Sequence, residues 1–221
     1  MISIIIPVVD EAKIIGDALS HVQELAGEKE VIVADGGSTD GTGFIAAKKA
    51  FVVASGRGRG VQMNEGVKAS SGDILLFLHA DCRLADNALE RIQSAVDDGY
   101  VGGCFTLYSG DSLRYGFLDS LSRLKTLLFR EYYGDQGIFA TRKAFDSIGG
   151  FPDAPLMEDV EFSKRLMTAG PTIQLGERIH ADPRRFHNGF SKTLLNMILL
   201  RGLYKIGVDP DRMSKHYLDV R

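Results

Sequence analysis

The feature that most constrains this chain is the exchange of two hydrophobic periods along residues 1–100. Short β-branched runs alternate there with amphipathic stretches. Residues 2–6 (ISIII) form an unbroken apolar run, as a strand buried on both faces requires. Residues 13–25 place Ile14, Ile15, Ala18, Leu19 and Val22 at helical spacing. The exchange continues with a strand at 30–34, a helix at 39–49 with Ser38 or Asp40 as its cap, and a strand at 51–54. A helix at 61–69, a strand at 73–78 and a helix at 87–96 behind Asp86 complete it. This succession predicts an α/β fold: a Rossmann-like, doubly wound, mostly parallel sheet flanked by helices. Ligands of such sheets lie beyond the carboxyl ends of the strands. Segments 7–11, 35–40, 56–59 and 79–81 are therefore the ones to read for function.

The second half is less regular. It predicts strands at 101–108 and 136–141, helices at 113–129 and 160–169, and a C-terminal helix at 193–206. Gly170 and Pro171 stop the fourth of these elements. No repeat or linker divides the chain, so residues 1–221 are expected to form one domain, with a nucleotide-facing half (about 1–100) and an acceptor-facing half (about 101–221). A chain of 221 residues that is 44% hydrophobic can bury one full core. The net charge of −3 offers no basic face for nucleic acid. Cys82 and Cys104 form no CxxC or zinc pattern and read as reduced thiols, which points to the cytoplasm. The apolar N-terminus lacks a basic region and a cleavage site, so it reads as a strand. Residues 194–208 are apolar but interrupted by Arg201 and Lys205. Two readings stay open for them: a core helix, or an amphipathic face in peripheral contact with a membrane that carries the acceptor.

Four segments carry chemistry. DGGSTDGT (35–42) follows the second strand, where glycines permit a tight turn and carboxylates can accept bonds from a base or ribose; a capping turn is the plainer account. His79-Ala80-Asp81 follows the fourth strand, and a carboxylate at a strand mouth suits a hard divalent cation that bridges a diphosphate. GRGRG (56–60), followed by Gln62 and Asn64, sets Arg57 and Arg59 at a helix start as an anion cradle. It follows the third strand and is not a dinucleotide fingerprint, which disfavours an NAD-linked enzyme. Glu158 and Asp159 open a helix after GGFP (149–152). The helix dipole alone explains acidic residues there, and a general base for an acceptor hydroxyl is the functional reading.

Together SIIIPVVDE (3–11), VIVADGGSTDGT (31–42), GDILLFLHAD (72–81) and GGFPDAPLMEDVEFSKR (149–165) resemble the ordered motifs of the family 2 glycosyltransferases, which adopt the GT-A fold. GRGRGVQMN (56–64), GDQGI (134–138) and Arg184-Arg185-Phe186 also resemble a small bacterial subgroup associated with radical-SAM or selenium-domain genes. The resemblance implies a metal-dependent, inverting transfer of a sugar from a nucleotide-diphosphate donor, such as a UDP-sugar, to an acceptor hydroxyl. It implies that Asp35 contacts the base and that Pro7, Asp10, Glu11 and Gly37 line the base and ribose pocket. Arg57, Arg59, Asn64 and His79 join them on the donor nucleotide. Asp81 matches the last aspartate of the DxD motif and would hold Mg²⁺ or Mn²⁺, with His187 as an added ligand. Asp159 matches the catalytic base, with Glu158 beside it, while Asp135 and Gln136 would touch donor sugar or acceptor. The chain departs from the pattern in three places: the DxD is reduced to HAD, Asp-Glu replaces Asn-Glu after the first strand, and the QxxRW of processive members is missing. The alternatives are a nucleotidyltransferase, which would want a basic glycine loop after the first strand, and a nucleotide-sugar binding module without catalysis.

Overall fold

The computed structural model describes residues 1–129, 131–182, 189–209 and 212–213. Its elements are β1 (Ile2–Val8), α1 (Ile15–Glu24), β2 (Lys29–Asp35), α2 (Thr42–Ala46), β3 (Phe51–Ala54), α3 (Arg59–Lys68), β4 (Ile74–Phe77) and β5 (Cys82–Leu84). There follow α4 (Ala88–Asp97), β6 (Gly102–Tyr108), α5 (Leu113–Phe129), a 3₁₀ turn (Gly134–Gln136), β7 (Ile138–Thr141), α6 (Arg142–Ser147), α7 (Glu158–Ala169), β8 (Thr172–Ala181) and α8 (Phe190–Lys205).

One eight-stranded sheet, ordered β3-β2-β1-β4-β7-β6-β8-β5, runs through both halves of the chain. β3, β2, β1 and β4 are parallel. β7 then pairs antiparallel to both β4 and β6, β8 runs parallel to β6, and β5 closes the edge antiparallel to β8. The sheet is thus mixed but mostly parallel, as the sequence predicted: only β7 and β5 run against the other strands. The chain winds from β1 toward β2 on one side and reaches β4 on the other, so the switch point lies between β1 and β4.

The apolar run of β1 feeds both faces. Ile2, Ile4, Ile6 and Val8 enter one core cluster with α1 and α4, and Ile5 enters a second. In the second, Phe77, Phe145, Phe151 and Phe162 interlock: Phe151 stacks on Phe162 at 3.9 Å and meets Phe77 edge-on at 4.7 Å. That cluster fastens the start of α7 and the loop before it over the mouth of β4.

Some sequence boundaries move. α2 starts only at Thr42, because Asp40 Oδ1 takes the Thr42 amide and Ser38 Oγ bonds back to Asp35. α7 begins at Glu158, two residues earlier than expected, and β7 begins at Ile138 because 134–136 coil into the 3₁₀ turn. β5, α6 and β8 were not legible. β8 carries Gly176, Glu177, Arg178 and His180 in its alternation, and a register shift opposite Cys104/Thr106 interrupts its ladder.

Candidate active site

Three loops meet at the carboxyl ends of β1, β2 and β4. Asp10, two residues past β1, has φ +54°. Its amide donates to Ser38 Oγ (3.0 Å), and its Oδ1 accepts from the Thr39 amide (2.8 Å). Glu11 N donates to Thr42 Oγ1 and Ala12 N to Asp40 Oδ2. The β1 loop is thereby stapled to the DGGSTDGT turn. Asp35 Oδ1 accepts from Gly37 N, Ser38 N and Ser38 Oγ, so one carboxylate oxygen shapes its own turn. Buried Gln62 donates to both Val8 O and Ala34 O, which ties together the ends of two adjacent strands.

Arg57 and Arg59, expected to form one cradle, serve two loops. Arg57 reaches Asp10 at 3.8 Å and is largely exposed. Arg59 forms an ion pair with Glu158 at 2.5 Å across the cleft. Gly60 permits this closeness, since a Cβ there would lie 2.5 Å from Pro152 O. Asn64, expected on the nucleotide, instead donates to Phe151 O and accepts from Phe151 N, both at 2.9 Å. Its carboxamide holds the loop that precedes α7.

Glu158 and Asp159 occupy the first turn of α7, directly after Met157. Met157 has φ +62°; with Asp10 it is one of two non-glycine residues in that region among those described. An extended side chain is strained there, and both cases flank the same cleft. Glu158 is buried, its Oε1 paired with Arg59 and its Oε2 without a hydrogen-bond partner among the described residues. Asp159 Oδ2 accepts from Gly134 N and Oδ1 from Val160 N, both at 2.8 Å. Solvent reaches only the edge of Asp159. Burial, then the Glu158 charge, push its carboxyl up to about 6, against the pull of Arg59 and the two amides.

His79 closes the arrangement. A Cβ on Gly134 would stand 2.6 Å from His79 Cε1 and Nε2, and 3.7 Å from Asp159 Oδ2. The glycine lets the β4 mouth and the head of α7 share one wall. Asp81, one turn on, is half-buried; its Oδ1 faces Cys82 Sγ at 3.6 Å and its carbonyl accepts from Asp182 N. The structure thus brings Asp81 beside Asp182, a residue that sequence reasoning missed because β8 was not legible. Gln136, expected on sugar or acceptor, is fully buried and turned inward: Oε1 accepts from Tyr133 N and Nε2 donates to Thr126 Oγ1. It builds the turn that presents Gly134. Asp135 is half-buried, with its carbonyl toward Cys82 Sγ, and Pro7 lies within β1, half-buried beside Ala34. Arg184, Arg185, Phe186 and His187 lie outside the described residues. A broad surface cleft between Gln23, Lys29, Lys49 and Phe51 sits at the opposite ends of β2 and β3, away from these carboxylates.

The family model described as glycosyl transferase family 2 matches residues 3–149. This chain belongs to glycosyl transferase family 2. Among curated relatives, a glycosyltransferase of Haloferax volcanii is 30% identical over 191 residues, covering 78% of this chain and 63% of its own length. A PGL/p-HBAD biosynthesis glycosyltransferase of Mycobacterium bovis is 32% identical over 165 residues, with 68% and 63% covered. The chain therefore spans less than two thirds of the length of these relatives. Among solved structures, a mannosyltransferase from Pyrobaculum calidifontis with GDP-Man and Mn²⁺ superposes with a TM-score of 0.70 at 20% identity, covering 97% of this chain and 67% of that one. Glucosyl-3-phosphoglycerate synthase from Mycobacterium tuberculosis, with Mn²⁺, UDP and phosphoglyceric acid, gives 0.64 at 20% identity, covering 94% and 79%. The fold of this family 2 member is α/β GT-A.

Proposed function

We propose that this family 2 member transfers a sugar from a nucleotide-diphosphate donor, a UDP-sugar by our reading, to an acceptor hydroxyl with inversion. One observation carries the reading: a half-buried carboxylate, Asp159, is pushed up to about 6 and shares a wall with the mouth of β4. A base tuned to about 6 is deprotonated at neutral pH yet basic enough to take a hydroxyl proton. In this mechanism Asp159 accepts the acceptor proton as that oxygen attacks the anomeric carbon. Arg57 steadies the departing diphosphate, and Arg59 holds Glu158 in an ion pair. The orphan Oε2 of Glu158 takes a hydroxyl of the bound sugar. Asp10, Glu11, Asp35 and Gly37 form the base and ribose pocket.

The donor set at the β4 mouth fits a divalent metal that arrives with the nucleotide. Asp81 has Asp182 as its neighbour, and both are hard oxygen donors. Among the described residues no group of three or more candidate ligands forms a closed cage. One or two carboxylates suffice where phosphates complete the shell. Mg²⁺ or Mn²⁺ there would neutralise charge on the leaving diphosphate. Within the family, the arginine loop and GDQGI support a place in the radical-SAM or selenodomain-associated bacterial subgroup. The two buried thiols suit a cytoplasmic site.

The test is a thermal-shift panel of nucleoside diphosphates with and without Mn²⁺, followed by donor turnover with candidate acceptors. One nucleotide should stabilise the protein only with metal, and Asp81→Ala should remove the shift. Folded protein that responds to no nucleotide would overturn the reading. Donor binding with no transferred sugar would favour a binding module.

A further inference from the structure

α8 is not a core helix. Of its residues with described side chains, Leu200 alone is buried, while Leu195, Ile198 and Leu199 are 56–67% exposed. It lies alongside α5 and runs the same way. At one end the Tyr115 and Phe190 rings are 6.0 Å apart; at the other, Lys205 Nζ sits 4.3 Å over the Phe129 ring. On α5, Phe117, Leu124 and Leu128 recur at helical spacing and are 52–68% exposed. The two helices, each about 25 Å long, both leave a row of large apolar side chains to solvent, as interaction surfaces do.

Charge identifies what covers it. Arg114 and Arg123 on α5 and Lys205 on α8 are exposed cations; Glu131 neutralises Arg201, and Asp119 is the one acid within α5. Asp119 turns inward to the amide and hydroxyl of Ser109. Burial first, then Arg201, depress Lys125 against the pull of Glu131, and Lys205 adds to the effect, which places Lys125, Arg201 and Lys205 near one another. The chain as a whole carries −3, so this face opposes the net sign. A second copy placed face to face would set cation against cation. An anionic bilayer surface satisfies both the leucines and the cations.

We propose that the α5–α8 face docks on an anionic lipid surface, as a peripheral contact: among the described residues no helix is long and apolar enough to cross a membrane. The face is wired to the candidate site. Thr126 of α5 holds Gln136, whose turn presents Gly134 to Asp159. Arg201 of α8 pairs with Glu131, and Tyr204 donates to Glu161 of α7. These bonds join the docking face to the Gly134 turn and to α7, which, if the transfer reading holds, points to a lipid-borne acceptor hydroxyl.

Flotation of the full chain with vesicles tests the docking independently of any transferase activity. Binding to mixed phosphatidylglycerol–phosphatidylcholine vesicles at low salt is expected, with loss on pure phosphatidylcholine and at high salt. Lys205→Ala should weaken partition about fivefold. Leu124→Ser/Leu128→Ser should weaken it at least about tenfold, with unchanged far-UV circular dichroism, because both side chains are exposed. Wild-type protein that stays with the lipid-free fraction at low salt would overturn the proposal, as would a leucine double variant that floats like wild type. Concentration-dependent dimers lost in that variant, without flotation, would assign the face to a second copy instead.

Discussion

Replacing Asp159 with asparagine should separate the stability of the protein from its chemistry. Folding raises this carboxyl from 3.8 to about 6, because burial and Glu158 disfavour its charge more than Arg59 and two amides favour it. The folded state therefore binds the proton more tightly than the unfolded state. The cost of charging Asp159 is nil below about pH 4 and complete above about pH 6. A shift of that size corresponds to about 3 kcal/mol, which solvent at the edge of the site trims to about 2. Asparagine never charges, but it offers one acceptor where Gly134 N and Val160 N need two. That lost bond costs a further 1–2 kcal/mol or so at every pH. The comparison to make is thus the pH slope and not the absolute stability. Urea unfolding at steps from pH 4 to 7.5 should show wild type losing about 2 kcal/mol relative to the variant across the window. The acid limb of kcat/KM, which reports the free enzyme, should fall below the same pH of about 6. The variant should bind donor nucleotide and turn over at least about 100-fold more slowly. Parallel stability profiles for the two proteins would refute the burial argument. Undiminished turnover would remove Asp159 as the base.

Arg59→Gln leaves buried Glu158 without its partner and should cost about 2–3 kcal/mol in urea unfolding, with the acid limb moved to higher pH because a cation that lowers Asp159 is gone. Gly134→Ala forces the His79 ring or the turn to move and weakens the amide held by Asp159; turnover should fall about tenfold or more while the melting temperature changes little. Asn64→Ala removes both bonds to Phe151 and should cost about 1–3 kcal/mol by thermal unfolding, with a rise in KM as the loop before α7 loosens.

Much of the fold was legible because its information is local. The apolar run of β1, the helical spacing of α1 and α4 and the glycine-rich turn after β2 each announce themselves within a few residues. Their order places the functional segments at strand ends. β8 escaped because its alternation is broken by Gly176 and by charges on its exposed side, and its pairing partner β6 lies about 70 residues away in sequence. Missing β8 also hid Asp182 beside Asp81.

Residue types and order along the chain determined the family, the strand ends that carry the carboxylates, and the chemistry those carboxylates can perform. Only the tertiary structure decided how each is used. It turned Asn64 and Gln136 from expected ligand contacts into braces, split Arg57 from Arg59, and set Gly134 between His79 and Asp159. It also left α5 and α8 uncovered, although their sequences serve equally well inside a core. A side chain's type fixes what it can bond. Its partner, its burial and hence its proton affinity are set by groups brought near from distant parts of the chain, and those distances are not written in local sequence.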